Sequence, residues 1–335
     1  MRRKILVTGG AGFIGSNFIH YLAEHYPGDT IINLDKLTYA GNLDNLKEMA
    51  GKPGYRFVRG DISDPAVVEG IFREGLNVVV NFAAETHVDR SIGNPDDFIR
   101  TDVYGTYVLL EAARHNGVEC FVQISTDEVY GSVEEGFSRE TDPLMPRNPY
   151  AASKAGADRL AYSYFATYGL PVFITRASNN FGPYQYPEKV IPLFVTNALD
   201  DIPLPLYGDG LNIRDWLFVG DHCSAIDLLI SRGKRGEVYN IGGGNLLTNR
   251  ELTARILDYL GLPETLIRRV RDREGHDRRY ALDSSKLKAL GWSPAADFKS
   301  ELDVTIDWYR NNRWWWEKIK SGEFKEYYKE QYGNR

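Results

Sequence analysis

The chain has 335 residues, 43% hydrophobic and 26% charged, with a net charge of −6 and two cysteines. That length suits one large α/β domain with a satellite, or two domains. The acid excess argues against a nucleic-acid-binding surface, and cysteines in a predicted strand (Cys120) and a predicted helix (Cys223) argue against a structural disulfide or a Cys-based zinc site.

The basic start Met1-Arg2-Arg3-Lys4 is followed only by Ile5-Leu6-Val7 before Thr8-Gly9-Gly10. That is no signal-peptide core, and no apolar run approaches membrane-spanning length, so a soluble cytoplasmic protein is expected. Apolar runs at Lys4–Val7, Thr30–Leu34, Tyr55–Val58, Val78–Phe82, Cys120–Ser125 and Val172–Arg176 read as strands. Amphipathic segments at Phe13–Glu24, Pro65–Arg73, Asp96–His115 and Pro149–Tyr168 read as helices between them. Strands spaced by helices predict parallel pairing, hence a Rossmann-type, doubly wound parallel α/β sheet. After Ser178 the rhythm breaks. A loop over Asn179–Tyr186 leads to a helix near Ile191–Leu199, a strand near Ile213–Val219, and helices near Asp221–Ile230 and Asn249–Leu260. The expected division is a dinucleotide-binding domain over 1–178, with returning segments from about 213–242, and a smaller, partly interleaved substrate domain over 179–335. Trp314-Trp315-Trp316 suggests a terminal helix docked by its aromatic face.

Thr8-Gly9-Gly10-Ala11-Gly12-Phe13-Ile14-Gly15 joins the first strand to the first helix. It satisfies both Gly10-x-Gly12-x-x-Gly15 and Gly9-x-x-Gly12-x-x-Gly15. Absent side chains let the backbone approach a pyrophosphate, and the helix amino terminus stabilises its charge. Asp35 closes the second strand twenty residues past Gly15, where a carboxylate accepts hydrogen bonds from the adenosine ribose and repels a 2'-phosphate. NAD is therefore expected over NADP, although Lys36 works against that selection.

The predicted fifth strand runs into Ser125-Thr126-Asp127-Glu128. Adjacent carboxylates at a strand's end are poor folding material, since each must be solvated or paired. As an acid and a base side by side they are good chemistry. Tyr150-x-x-x-Lys154 follows at the start of a helix, and its spacing stacks both side chains on one face. Lys154 is expected to lower the phenol pKa so that Tyr150 acts as a base.

These residues, with Asp61-Ile62 and Ala83-Ala84-Glu85-Thr86-His87, resemble the extended short-chain dehydrogenase/reductases that act on nucleotide sugars. The 4,6-dehydratases among them are resembled further by Asp35-Lys36-Leu37-Thr38-Tyr39-Ala40-Gly41-Asn42, Thr126-Asp127-Glu128, Asn179-Asn180-Phe181-Gly182-Pro183-Tyr184-Gln185, Asn212-Ile213-Arg214-Asp215-Trp216 and Gly275-His276-Asp277-Arg278-Arg279-Tyr280. The resemblance implies a catalytic set of Thr126, Asp127, Glu128, Tyr150 and Lys154, with dTDP-glucose as substrate. It implies NAD contacts from Gly9, Gly12, Phe13, Ile14, Gly15, Asp35, Lys36, Leu37, Thr38, Asp61, Ile62, Ala83, Ala84, Thr86, Thr101, Tyr150, Lys154 and Asn179. It also implies substrate contacts from His87, Thr126, Val190, Pro205, Asp272 and Tyr280. Lys189, Arg214, Arg271 and His276 are the cations that a diphosphate would need. Asn180 and Asn249 suit either phosphate hydrogen bonds or turn and cap roles, and Tyr207 either base stacking or packing. His87 suits either a ligand contact or a structural donor. A homodimer is implied through the Asp96–His115 and Pro149–Tyr168 segments, with Tyr104, Tyr107, Leu110, Leu160 and Tyr164 as surplus apolar positions. Six histidines, none at ligand spacing beside a cysteine, give no metal site. Within the superfamily a 4-epimerase or a 4,6-dehydratase for another nucleotide sugar remains the rival, and outside it a non-catalytic NAD-binding sensor on the same scaffold.

Overall fold

A computed structural model describes residues 2–86, 88–272 and 276–321, together with 324, 328 and 332. In chain order its strands are β1 Lys4–Thr8, β2 Thr30–Asp35, β3 Tyr55–Arg59, β4 Val78–Asn81, β5 Cys120–Thr126, β6 Val172–Ala177, β7 Asn179–Phe181, β8 Leu204–Tyr207, β9 Ile213–Phe218, β10 Val238–Ile241, β11 Leu246–Thr248 and β12 Ile267–Val270. Seven of them form one parallel sheet in the order β10-β6-β5-β4-β1-β2-β3. Its central strands are continuous apolar runs because both faces are covered.

One face is covered by helices Phe13–His25 and Val219–Arg232, which contribute Phe18, Ile19, Leu22, Ala225, Ile226 and Leu229 to the core. The other face is covered by Pro65–Phe72, Thr106–His115 and Pro149–Tyr168, through Val68, Phe72, Leu109 and Ala161. Strand order reverses between β1 and β4. In such sheets ligands bind in the crevice outside the strand carboxyl ends at that point. A third apolar cluster surrounds the small sheets β11-β9-β7 and β12-β8. β7 follows β6 directly and pairs Asn180 with Leu217 of β9, which ties the smaller sheet to the rim of the larger.

Several expectations change in detail. The Asp96–His115 helix is interrupted by π-helical turns over Ile99–Gly105. The strand expected to reach Val219 ends at Phe218, and the next helix begins at Val219 itself. Four short strands, β7, β8, β11 and β12, lie in stretches whose polar and proline content hid them. Leu110 and Tyr164 are buried in the core instead of being surplus, whereas Tyr104 and Tyr107 stay 44% and 42% exposed. Trp315 and Trp316 are buried, and their indoles donate to Asn45 Oδ1 and to the Tyr309 carbonyl. Much of the Lys/Glu-rich tail beyond them lies outside the described residues.

Two carboxyls meet where Glu301 of helix Phe298–Asn311 approaches Asp221 of helix Val219–Arg232. Burial and the facing Asp221 push Glu301 up to about 9, so the folded protein holds a proton there that the unfolded chain loses near pH 4.5. A raised carboxyl pKa contributes stability that falls as pH rises between those values. Glu301→Gln should therefore gain on the wild type as pH rises from 5 to 9, by a few degrees in melting temperature; a difference independent of pH would contradict the shared proton.

Candidate active site

The turn after β1 is built for close approach. Gly9 adopts φ +65°, and a Cβ there would meet the Ala83 backbone at 2.7 Å. A Cβ on Gly15 would meet the Gly9 carbonyl at 2.4 Å, so the first helix can pack on the turn only without a side chain there. Asp35 is pinned to this turn. Its carboxylate accepts from the Ala11 N–H at 2.9 Å and the Leu37 N–H at 2.7 Å. Burial raises its pKa, and those two N–H groups act against the rise. Lys36 does not stand free beside it, because Asp61 holds its ammonium at 2.8 Å. The cation that weakened the NAD preference is thus already neutralised. These residues fit the pyrophosphate and adenosine ribose of a dinucleotide.

β5 delivers the acid pair. Thr126 caps the 3-10 turn Asp127–Tyr130 by accepting the Glu128 N–H, and its hydroxyl donates to Asp127 Oδ1 at 3.2 Å. Asp127 is 3% exposed, and its Oδ2 has no hydrogen-bond partner among the described residues. Burial, then Glu128 and Asp215, push its pKa well above the usual range, against the pull of Arg214. Asp127 is therefore held toward its protonated, carboxylic acid form. Glu128 is half-buried, with Asn148 Nδ2 at 3.5 Å.

The next helix starts where the residues dictate. Asn148 accepts the Ala151 N–H at 2.8 Å as N-cap, and Pro149 takes the first turn. This puts Tyr150 beside Thr126, whose hydroxyl acts to lower the phenol pKa. Lys154 Nζ donates to the Ile124 carbonyl at 2.8 Å. The phenol is not lowered as expected. Burial, followed by Glu128 and Asp102, drives its pKa well up. Lys154 itself is lowered by burial, against Asp102 and Asp158.

Most of the expected residues line one cavity of about 300 Å³. They are Gly9, Gly12, Phe13, Ile14, Gly15, Asp35, Lys36, Thr38, Asp61, Ile62, Ala83, Ala84, Thr86, Thr101, Thr126, Asp127, Glu128, Tyr150, Lys154, Asn179, Asn180 and Lys189. Leu37 stands just outside, supporting Asp35. The remaining substrate-side residues form two groups beyond that lining. Arg214 donates to the carbonyls of Ile213 and Asp277 and lies 4.5 Å over the Tyr280 ring, whose hydroxyl donates to Asp277. This group reaches the acid pair, since Arg214 lowers the Asp127 pKa and Glu128 raises that of Tyr280. Tyr207 stands edge-on to His276 at 6.0 Å, and His276 contacts Asp272 at 2.6 Å. Pro205 shares β8 with Tyr207, and Val190 opens helix Val190–Leu199. Arg271 is exposed. Asn249 is not a cap, because Thr248 takes that role through a capping box with Glu251. His87 and Gly275 lie outside the described residues.

Some neighbours gave little sequence signal. Asp102, buried in the π-helical turn, accepts from Ser153 Oγ at 2.6 Å and from the Glu85 N–H, and burial raises its pKa to about 6. Buried Glu188 accepts from Tyr39 at 2.9 Å while Arg90 lies 3.8 Å over the Tyr39 ring. A charged pair at Glu188-Lys189 was visible in the sequence, although only its lysine was singled out.

The fold and this lining define a nucleotide-sugar-modifying member of the short-chain dehydrogenase/reductases. Residues 6–304 match the family described as GDP-mannose 4,6 dehydratase, and the chain belongs to that family. It is 55% identical over 323 residues to a dTDP-glucose 4,6-dehydratase from Streptomyces antibioticus, covering 95% of each chain. It is 52% identical over 305 residues to the low-salt glycan biosynthesis protein Agl12 of Haloferax volcanii, covering 91% of this chain and 98% of that one. A crystal structure of a dTDP-glucose 4,6-dehydratase from Streptomyces venezuelae with NAD and TYD bound matches with TM-score 0.92 and 53% identity, covering 95% of this chain and 100% of that chain.

The electrostatics can be checked without a substrate. An infrared difference spectrum between wild type and Asp127→Asn at pH 7 should contain the stretch of a protonated carboxyl. A carboxylate band in its place would contradict the assignment of the proton.

Proposed function

We propose that this chain is an NAD-dependent dTDP-glucose 4,6-dehydratase, a hydro-lyase acting as a cytoplasmic homodimer. Its product is dTDP-4-keto-6-deoxyglucose plus water. The observation that carries the reading is a buried Asp127, its pKa pushed well up, beside Glu128 in the lining of one cavity with Tyr150 and Lys154. Residues 1–178 would mainly hold the cofactor and 179–335 mainly the nucleotide sugar. Asn180, Lys189 and Arg214 would meet the diphosphate.

When bound, NAD supplies a hydride acceptor for carbon 4 and returns that hydride to carbon 6. Everything else falls to side chains. Tyr150 takes the proton of the 4-hydroxyl. Its phenol is held high in the protein alone, and Lys154 together with the positive charge of an oxidised nicotinamide works to bring it down. The ketone at carbon 4 acidifies the hydrogen on carbon 5, which Glu128 removes. Asp127 gives its proton to the 6-hydroxyl, so water leaves as the double bond between carbons 5 and 6 forms. The proton on Glu128 then returns to carbon 5. Tyr150 ends one proton up and Asp127 one proton down, and exchange with solvent resets both. An epimerase needs only the oxidation at carbon 4. It has no use for a buried proton donor beside the base, and that favours dehydration.

Variants of the pair separate the steps. Glu128→Gln should slow product formation by ~100- to 10,000-fold while still allowing oxidation at carbon 4, so absorbance of reduced nicotinamide accumulates on the enzyme. Asp127→Asn should slow loss of water more than exchange at carbon 5. Near-normal dehydration by both variants would sink the proposed roles.

The dimer would use the faces of Asp96–His115 and Pro149–Tyr168 that stay apolar, with Tyr104, Tyr107, Tyr162 and Tyr168 each more than 40% exposed. Light scattering at micromolar concentration should give twice the chain mass, and Tyr107→Glu should shift it toward one. A strict monomer in the wild type would refute this part of the reading.

A further inference from the structure

His222 lies in helix Val219–Arg232, outside every motif discussed above, yet it lines the same cavity. It is 0% exposed. Its Nδ1 lies 2.9 Å from Asn180 Oδ1, and its Nε2 has no hydrogen-bond partner among the described residues. The orientation of the Asn180 amide is set on the other side, because Asn180 Nδ2 donates to the Ser178 carbonyl at 2.9 Å. A carbonyl can only accept, so Oδ1 is the atom that faces histidine. An amide oxygen also only accepts, and the hydrogen must then sit on Nδ1. Burial lowers the His222 pKa to about 3, which keeps the ring neutral and leaves Nε2 as a buried lone pair without a partner among the described residues. The backbone of Asn180 is anchored as well, by Gln185 Nε2 on its carbonyl at 2.8 Å.

We propose that His222 is a positioning residue for diphosphate recognition: as the Nδ1–H tautomer it locks the Asn180 amide with Nδ2, not Oδ1, toward the bound nucleotide. This inference rests on the proposed function for the identity of the diphosphate. The reasoning is electrostatic. Asn180 Nδ2 carries two hydrogens, one taken by Ser178 and one left for the ligand. A reversed amide would turn an oxygen lone pair on the phosphates and leave Oδ1 against the Ser178 carbonyl. Without the histidine donor, buried Oδ1 loses its partner, and the Ser178 carbonyl alone is left to hold the amide in this orientation. The bare Nε2 cannot serve an oxyanion, so the influence of His222 on the phosphates runs through Asn180.

Three variants of the holoenzyme test this. An asparagine at this position carries an N–H where Nδ1–H stood, glutamine carries its amide nearer the Nε2 position, and leucine carries neither. His222→Leu and His222→Gln should raise both KM for dTDP-glucose and the inhibition constant of dTDP on the order of tenfold, with kcat within about twofold. His222→Asn should stay near wild type. In an Asn180→Ala background, His222→Leu should add little, because the two act as one unit. Unchanged KM and dTDP inhibition in the leucine and glutamine variants would overturn the proposal. So would a loss confined to kcat, or an asparagine variant as impaired as leucine. Should His222→Leu not fold, the contrast between the asparagine and glutamine variants decides. Nitrogen NMR of the His222 imidazole in the wild type is an independent arm: a proton on Nδ1 is expected, and one on Nε2 would overturn the lock whatever the substrate. Failure of the wild type to dehydrate dTDP-glucose would count against the proposed function alone.

Discussion

Burial, with two other carboxylates nearby, pushes Asp127 toward its protonated form, and the division of labour at the site depends on that. A carboxyl left in water would ionise near its ordinary pKa and be a poor acid at neutral pH. Here the strand end, the Thr126 cap and the first turn after it bury one carboxyl and leave the next half-exposed. Adjacent residues of the same chemical type thus sit in different surroundings, and one of them is pushed toward its protonated form. The position follows from topology. β5 neighbours β4 in a sheet whose order reverses beside β1, so its carboxyl end and the glycine turn open onto the same crevice.

The rest of the site is arranged around that feature. Asp35 ties the glycine turn to the end of β2 by two backbone N–H bonds, and Lys36 is withdrawn to Asp61. Tyr150 is buried in a field of negative charge, so that burial first and then Glu128 and Asp102 raise its pKa. The protein alone therefore holds the phenol protonated, and the ionised form needs positive charge from the bound cofactor to appear. That couples the strength of the base to occupancy of the cavity. The second polar group, Arg214 over Tyr280 with Asp277 beneath, carries the same field outward to the smaller sheets.

Much of this was legible in the sequence, for a physical reason. The glycine turn, Asp35, Thr126-Asp127-Glu128 and Tyr150/Lys154 act through local geometry, so spacing along the chain carries the information. The doubly wound sheet was legible because buried parallel strands must be apolar throughout. What stayed hidden joins residues far apart. Asp102 meets Ser153 across 51 positions, Tyr39 meets Glu188 across 149, and Asn180 meets His222 across 42. No periodicity announces such pairs, and each partner alone reads as an ordinary polar residue. The short strands after Ser178 escaped for a related reason: pairing in a small sheet, not their own propensity, holds them extended.

The account stands on one claim, that a single active site removes the carbon-5 proton with a side-chain base and carries the carbon-4 hydrogen to carbon 6. The most direct measurement is turnover of dTDP-glucose labelled with deuterium at carbon 4 in ordinary water, paired with unlabelled substrate in deuterated water. The account predicts the carbon-4 label at carbon 6 of the product in the first case and solvent deuterium at carbon 5 in the second. Solvent hydrogen in place of the label at carbon 6, or no solvent deuterium at carbon 5, would contradict it.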